Sequence, residues 1–164
     1  MPGNSKADQE LREQVAYLLR KGNAHVGFAS AAEGWPADLY GEKPDGAPHT
    51  AWQLLEHMRI AQWDILEFSR NALYVSPDWP EGYWPSADAP PGEAAWEESL
   101  RKFLRDLRAM IRLVQNPKND LHKRMPHGTG QTLLREALVL ADHNSYHLGQ
   151  LVLLRRLLGA WPEP

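Results

Sequence analysis

Apolar residues recur at every third or fourth position in four long segments of this chain. The clearest stripe spans residues 93–115 and consists of Trp96, Leu100, Phe103, Leu107, Ile111 and Val114. This spacing places the apolar side chains on one face of an α-helix, which can then pack against other helices. The same periodicity predicts long helices at residues 8–21, 50–70, 93–115 and 129–158, and a shorter helical segment at 24–33.

Local signals mark where several of these helices begin and end. Thr50 is followed three positions later by Gln53, which is the spacing of a capping box at a helix start. Gly22 interrupts the first helix, and Gly159 with Pro162 terminates the last one. No segment has the alternating pattern of a strand. The sequence therefore predicts an all-α fold, an antiparallel four-helix bundle with long loops.

We expect one domain over residues 1–164, because a chain of this length can bury a hydrophobic core without stabilising disulfides or metal ions. Residues 1–7 are expected to be a disordered tail. One long connection, residues 74–92, is rich in proline and large aromatic residues. Disordered segments are poor in aromatics, so this connection is predicted to be ordered. Its Trp79, Tyr83 and Trp84 could lie across a functional site, lie across a dimer partner, or serve packing alone.

Composition and charge exclude several classes of site and partner. The chain contains no cysteine, which excludes disulfides, thiolate metal sites and a cysteine nucleophile. The formal net charge of -3 argues against nucleic acid as the main partner. A basic stripe on the third long helix could contact phosphates, but acids four positions earlier favour a solvated face with ion pairs. The stripe consists of Arg101, Lys102, Arg105, Arg108 and Arg112.

The sequence gives no reason to expect a membrane protein. The N-terminal stretch MPGNSKADQE has no apolar core, so we expect no signal peptide. No run approaches the ~18 apolar residues that a membrane-spanning helix needs. With the absence of cysteine, which fits a reducing compartment, these features lead us to expect a cytoplasmic protein.

Two of the seven histidines, His143 and His147, lie four positions apart on the last predicted helix. At this spacing both imidazoles leave the same side of the helix and can hold one metal ion between them. Two packed core histidines are the alternative on spacing alone. The metallopeptidase motif is excluded, since Asn144 stands where that motif needs a glutamate. His57, on a partly buried face of the helix at 50–70, is either a third ligand or a structural residue.

Polar residues near these histidines are candidates for supporting them. Asp64 lies about two turns beyond His57 and either accepts a hydrogen bond from a ligating imidazole or lies at the helix surface. Gln150 lies one turn beyond His147 and could line the same cavity, whereas Tyr146 points about 100° away. The remaining histidines are expected at the surface, and these are His25, His49, His122 and His127.

Two stretches carry a resemblance to a known family, namely PHTAWQLLEHMRIAQWDILEF and TLLREALVLADHNSYHLGQLVLLRRLLGAWP. In these stretches the chain resembles the DinB/YfiT-like superfamily of four-helix-bundle metalloproteins. The resemblance implies that His57, His143 and His147 bind a divalent ion. It also implies a homodimer, and a reaction like those of the thiol-dependent transferases and isomerases that use low-molecular-weight thiols.

Three imidazoles would leave coordination positions open, which is typical of a catalytic rather than a structural metal site. Imidazole suits several transition metals, of which we expect zinc or nickel. The hypothesis is thus a divalent-metal-dependent S-transferase or hydrolase acting on a small molecule. The alternative is a non-catalytic bundle whose site binds metal or stabilises a dimer. A homodimer is also expected because the aromatic loop at residues 74–85 presents apolar surface.

Overall fold

The computed structural model describes residues 5–22 and 24–162, and the regular secondary structure within them is helical. Its helices are α1 (Lys6–Lys21), α2 (Phe28–Ala32), α3 (Ala51–Arg70), α4 (Glu93–Gln115) and α5 (Leu133–Leu157). Short 3-10 helices lie at Ala37–Leu39 and Glu81–Tyr83. No strand forms in these residues, although an isolated bridge pairs Arg124 with Thr132. The prediction of an all-α fold is therefore confirmed.

Most helix ends lie where the local signals predict them. Thr50 and Gln53 form the capping box of α3, because each side chain accepts a hydrogen bond from the other residue's backbone N–H. Gly22 ends α1 with a φ of 64°, a left-handed conformation that glycine adopts without strain. None of the described helices is long and apolar enough to cross a membrane.

Three helix starts differ from the prediction. α1 already begins at Lys6 with Ser5 as its N-cap, and residues 1–4 of the predicted tail lie outside the described residues. α2 is shorter than predicted and begins at Phe28. α5 begins at Leu133 rather than at residue 129, because the Thr132 side chain caps it by accepting from the backbone N–H of Arg135.

The contacts between helices refine the predicted antiparallel arrangement. Along α3, Glu56 accepts from Ser99 of α4, and Gln62 further along donates to the Phe103 carbonyl at 2.6 Å. The later residue of α3 contacts the later residue of α4, so the two helices run in the same direction. Gln62 also accepts from Asn144 of α5 at 3.0 Å, while the earlier residue His57 meets the later residue His147. α5 therefore runs opposite to α3. The predicted antiparallel arrangement holds for α3 and α5, whereas α3 and α4 are parallel.

The long connection at residues 71–92 explains why α3 and α4 are parallel. The connection returns along α3, since the Tyr83 hydroxyl bonds Asp64 and the Asp88 carbonyl accepts from Thr50 at the helix start. α3 is about 30 Å long at 1.5 Å per residue, and an extended connection of this length can span that distance. α4 can thus begin at the same end of the bundle as α3.

Two apolar clusters fill the bundle and leave a polar layer between them. Near the start of α3 the core includes Leu55, Met58, Trp96, Phe103 and Leu151. Near its end the core includes Val15, Leu66, Met110, Val114 and Leu140. The polar layer lies where the clusters meet and comprises His57, Gln62, His143, Asn144 and His147. Within this layer Asn144 of α5 donates to the buried Gln62 of α3, and this bond helps to fix how α3 and α5 are aligned.

Two buried arginines attach chain segments to the bundle. Arg155 of α5 is only 1% exposed, and its guanidinium donates to the carbonyls of Ser30, Ala31, Glu33, Gly34 and Ala160. Arg12 of α1 donates to carbonyls at the end of α4 and beyond, at Val114, Asn116 and Asn119. Each guanidinium satisfies carbonyls that the local helix geometry leaves unpaired.

Candidate metal centre

His57 lies in the middle of α3 and is buried, with 2% of its surface exposed. Its Nδ1 lies 3.0 Å from the backbone carbonyl oxygen of Tyr83. A carbonyl only accepts hydrogen bonds, so Nδ1 carries the proton and, in a neutral ring, Nε2 has a free lone pair. The connection at 71–92 therefore sets which nitrogen of His57 faces the bundle interior.

The two histidines of α5 meet His57 from the opposite side. The Nε2 atom of His57 lies 3.1 Å from Nε2 of His147 and 3.1 Å from Nε2 of His143. One nitrogen from each ring lies within 4.8 Å of the other two, a grouping that could hold a metal ion. The spacing of four residues on α5 brings His143 and His147 together, and the packing of α3 on α5 adds His57.

The protonation states favour a cation between these nitrogens. Gln150 Oε1 accepts from Nδ1 of His147 at 2.9 Å, which leaves Nε2 of His147 without a proton in the neutral ring. Two Nε2 lone pairs, those of His57 and His147, then face each other at 3.1 Å and repel. Zn–N bonds of about 2.0–2.1 Å in a tetrahedral site put ligand nitrogens about 3.3 Å apart. The three residues present thus fit a transition metal ion.

Burial keeps these rings neutral near pH 7. Burial, with the neighbouring His147 and His143, lowers the pKa of His57 to about 4. Burial and His147 also lower the pKa of His143 to about 4, and burial lowers the pKa of His147. Since only neutral imidazole binds a metal, these lowered pKa values keep the lone pairs free near neutral pH.

The connection at 71–92 covers one side of the centre with an aromatic ring. Trp84 stacks on His57 with ring centroids 3.8 Å apart, and His49 stacks on the other face of Trp84 at 4.0 Å. Of the roles considered for this connection, lying across the site is therefore the one that these contacts support. His49 was expected at the surface but is partly buried in this stack.

A cleft of about 290 Å³ reaches all three histidines from outside. Its other lining residues are Ala61, Asp64, Ile65, Trp79 and Tyr83. Asp64 Oδ2 accepts from the Tyr83 hydroxyl at 2.8 Å, while the buried Oδ1 has no hydrogen-bond partner among the described residues. Burial and this bond to Asp64 raise the pKa of Tyr83 to about 12, so the phenol remains a donor.

The supporting residues only partly match those expected from the sequence. Gln150 does contact His147, but it lies behind the ring and lines a different pocket. Asp64 lines the cleft and bonds Tyr83 rather than a histidine. Tyr146 is 65% exposed and meets His147 edge-on, away from the three Nε2 atoms. The contact of His57 with the Tyr83 carbonyl was not predicted. Every residue has a backbone carbonyl, so the residue type at position 83 does not indicate such a contact.

The remaining polar features lie outside this centre. His25 bonds Ser145 at the chain reversal after α1, His127 bonds the Phe68 carbonyl, and His122 is exposed. The basic stripe of α4 forms ion pairs along its own helix, such as Arg101 with Glu98 and Arg105 with Asp106. These pairs agree with a solvated face rather than a phosphate-binding one.

Comparison with known families gives one match. A family model described as the DinB superfamily matches residues 24–151, which is most of the chain and includes α2, α3, α4 and the part of α5 that carries both histidines. The matched region thus contains all three histidines of the centre. Neither the curated proteins nor the solved structures gave a match to this chain.

Proposed function

Because the chain belongs to the DinB superfamily, we propose that it is a divalent-metal-dependent enzyme whose ion is held by His57, His143 and His147. The observation that carries the proposal is the convergence of three neutral imidazoles, two of them with lone pairs that face each other at 3.1 Å. The alternative is a bundle that binds metal without catalysis. The cleft that reaches the three rings favours the enzyme, because a structural ion needs no access.

The three Nε2 atoms would supply the protein ligands, and the side facing the cleft would stay open for substrate. Zinc and nickel are the ions proposed, since both accept imidazole nitrogen. Such an ion, when bound, supplies Lewis acidity that can activate a thiol or water or polarise a carbonyl. Three histidine ligands without a carboxylate or thiolate leave the ion its full charge for this purpose.

The chain's own residues orient the ligands and handle the proton. The Tyr83 carbonyl and Gln150 hold His57 and His147 in the tautomers that ligation requires. Trp84 shields one face of His57 from water. Asp64 is the carboxylate that lines the cleft with the three histidines, so it would be the group that accepts a proton from a thiol or water molecule bound there.

The proposed reaction is S-transfer from a low-molecular-weight thiol, or hydrolysis of a small substrate. A cleft of about 290 Å³ at the metal centre suits a small molecule rather than a polymer. The Asp64 carboxylate would serve either reaction, because both begin with removal of a proton from the nucleophile. Loss of that proton leaves a thiolate or hydroxide as the attacking group.

Metal content and activity test the proposal together. Protein purified without chelator is expected to hold about one zinc or nickel ion per chain. It should then transfer small thiols to a chromogenic electrophile or hydrolyse nitrophenyl esters, with loss of activity in His143→Ala and in Asp64→Asn. His122→Ala is the matched control, since His122 is exposed and lies outside the cleft. Absence of metal after incubation with both ions would refute the site, whereas metal without turnover would favour the non-catalytic alternative.

A further inference from the structure

The outer side of α5 carries large apolar side chains, and nothing in the described part of the chain covers them. Four large side chains of this helix are exposed, with fractions of 45% for Leu138, 65% for Tyr146, 58% for Leu153 and 61% for Leu157. At 100° per residue they lie within an arc of about 100°, which we call the outer face of α5. Exposed apolar side chains on the outer side of a helix that already buries its core side indicate a further contact.

This outer face continues into an apolar pocket. The pocket, of about 340 Å³, lies between α5 and the segment at 44–49, and Leu54 and Leu154 line it. Leu153 and Leu157 of the outer face also line it, so the pocket and the face form one apolar surface. Continuous exposed apolar surface of this kind marks a contact with another molecule.

Gly149 lies in the middle of the outer face. A Cβ atom added there would meet no atom within 4 Å, so packing inside the chain does not require glycine at this position. Glycine is unfavourable in the middle of a helix compared with alanine. Its advantage is the close approach of another backbone. Gly149 therefore indicates the point where a second helix comes nearest to α5.

The charges of the outer face identify that second helix. Asp142 and Arg156 are exposed, lie on the same arc, and stand seven positions before and seven positions after Gly149. When two copies of α5 cross antiparallel at Gly149, Asp142 of each copy faces Arg156 of the other. In the same register Tyr146 lies beside Leu153 of the second copy, and Leu138 lies about 4.5 Å along the axis from Leu157.

We propose that the outer face of α5 is the contact of a symmetric homodimer in which the two α5 helices cross antiparallel at Gly149. A twofold contact uses the same surface on both copies, and this face is complementary to its own reversed copy in charge and in apolar side chains. The proposal depends on neither the metal nor the reaction proposed above. It locates the contact on α5 rather than on the aromatic loop from which a dimer was expected.

Mass measurements on the full chain test whether this face forms the contact. Light scattering at micromolar concentration should give about twice the 18.6 kDa of one chain. Leu153→Glu should weaken the dimer by about tenfold or more, because it buries a charge in the contact. Asp142→Arg should weaken it as well, and adding Arg156→Asp should restore it. Leu73→Glu is the matched control, since Leu73 is 91% exposed on the connection between α3 and α4.

Engineered cysteines test the register, since the chain has none of its own. A double variant, Asp142→Cys with Arg156→Cys, should form a covalent dimer under mild oxidation. Each single variant is its control, because its cysteine would lie about 21 Å along the helix axis from the same cysteine of the second copy. A disulfide needs Cα atoms within about 7 Å, so the single variants should stay uncoupled.

Three results would overturn the proposal. The first is a wild-type chain that remains monomeric at micromolar concentration. The second is a dimer that survives Leu153→Glu but separates in Leu73→Glu, which would locate the contact on the connection at 71–92. The third is a covalent dimer from either single cysteine variant, or none from the double variant, since either result would contradict the antiparallel register.

Discussion

The indole ring of Trp84 lies flat on the imidazole ring of His57, with centroids 3.8 Å apart and an angle of 3° between the planes. The same imidazole bonds the carbonyl of the preceding residue, Tyr83. Two adjacent residues of the connection thus fix the position of one proposed ligand. A ligand ring that is already held in place loses less entropy when it binds an ion.

Trp84→Ala is expected to weaken metal binding by about tenfold or more, because residues that orient a ligand affect affinity on this scale. The stoichiometry should remain about one ion per chain, since the three nitrogens are still present. Competition with a chromogenic chelator measures the affinity. Trp79→Ala is the control, because Trp79 is 68% exposed and its ring centroid is 6.4 Å from that of His57. Equal losses in both variants would show that the stack on His57 has no special role.

Gln150 gives a second test of ligand orientation. Gln150→Leu removes the acceptor for Nδ1 of His147 and should lower metal affinity by about 10- to 100-fold. Gln150→Glu keeps an acceptor and adds negative charge, so it should bind metal at least as tightly as the wild type. Isothermal titration with zinc measures both. An affinity of the leucine variant equal to that of the wild type would mean that this bond does not orient His147.

The proposed ligands should affect stability differently with and without metal. His143→Ala should change the melting temperature of the metal-free protein little, because the ring is half-buried and its Nδ1 has no hydrogen-bond partner among the described residues. The variant loses only the contact of Nε2 with Nε2 of His57 at 3.1 Å. His57→Ala should lower its stability by about 2 kcal/mol, since it opens a cavity and leaves the Tyr83 carbonyl unpaired.

Added zinc should raise the melting temperature of the wild type by an amount that grows with its concentration. Neither histidine variant should show that rise. His122→Ala should behave as the wild type, because that side chain is exposed. The same zinc-induced rise in His143→Ala would mean that the ion binds elsewhere.

The lowered histidine pKa values predict the pH dependence of the metal-free protein. Burial lowers the pKa of His57 and of His143 to about 4, compared with 6.5 for the unperturbed side chain. Between these values the unfolded chain binds more protons than the folded one, so stability is full above pH 6.5 and falls toward pH 4. Denaturant unfolding at several pH values measures this loss. His143→Ala should make the dependence shallower, and an unchanged slope would contradict the lowered pKa of His143.

Arg155 tests the attachment of the segment at 30–34 to α5. Arg155→Met removes the donors of five backbone carbonyls and should lower the free energy of unfolding by about 3 kcal/mol or more. Arg108→Met is the control, because Arg108 is exposed in the middle of α4 and should change stability by about 0.5 kcal/mol or less. Urea unfolding of both variants is the measurement. Similar stability in the two variants would show that water replaces the guanidinium at little cost.

The helices and one half of the centre could be predicted from the sequence because their signals are local. The stripe through Trp96 and Phe103 is set by the helical period, and α4 has the predicted bounds. The capping box of Thr50 and Gln53 joins residues three positions apart. His143 and His147 share one side of α5 for the same reason. Each of these features depends on residues within about one or two helical turns of each other, so the local sequence alone determines it.

The rest was decided by contacts between residues far apart in the chain. His57 meets His147 across 90 positions, which requires α3 and α5 to be antiparallel with the polar layer aligned. The Tyr83 carbonyl and the Trp84 ring reach His57 only because the connection at 71–92 returns along α3. No local pattern encodes that path, and a backbone carbonyl is common to all residues. The sequence therefore determines which residues could bind a metal, whereas packing of the helices and the course of one connection bring them together.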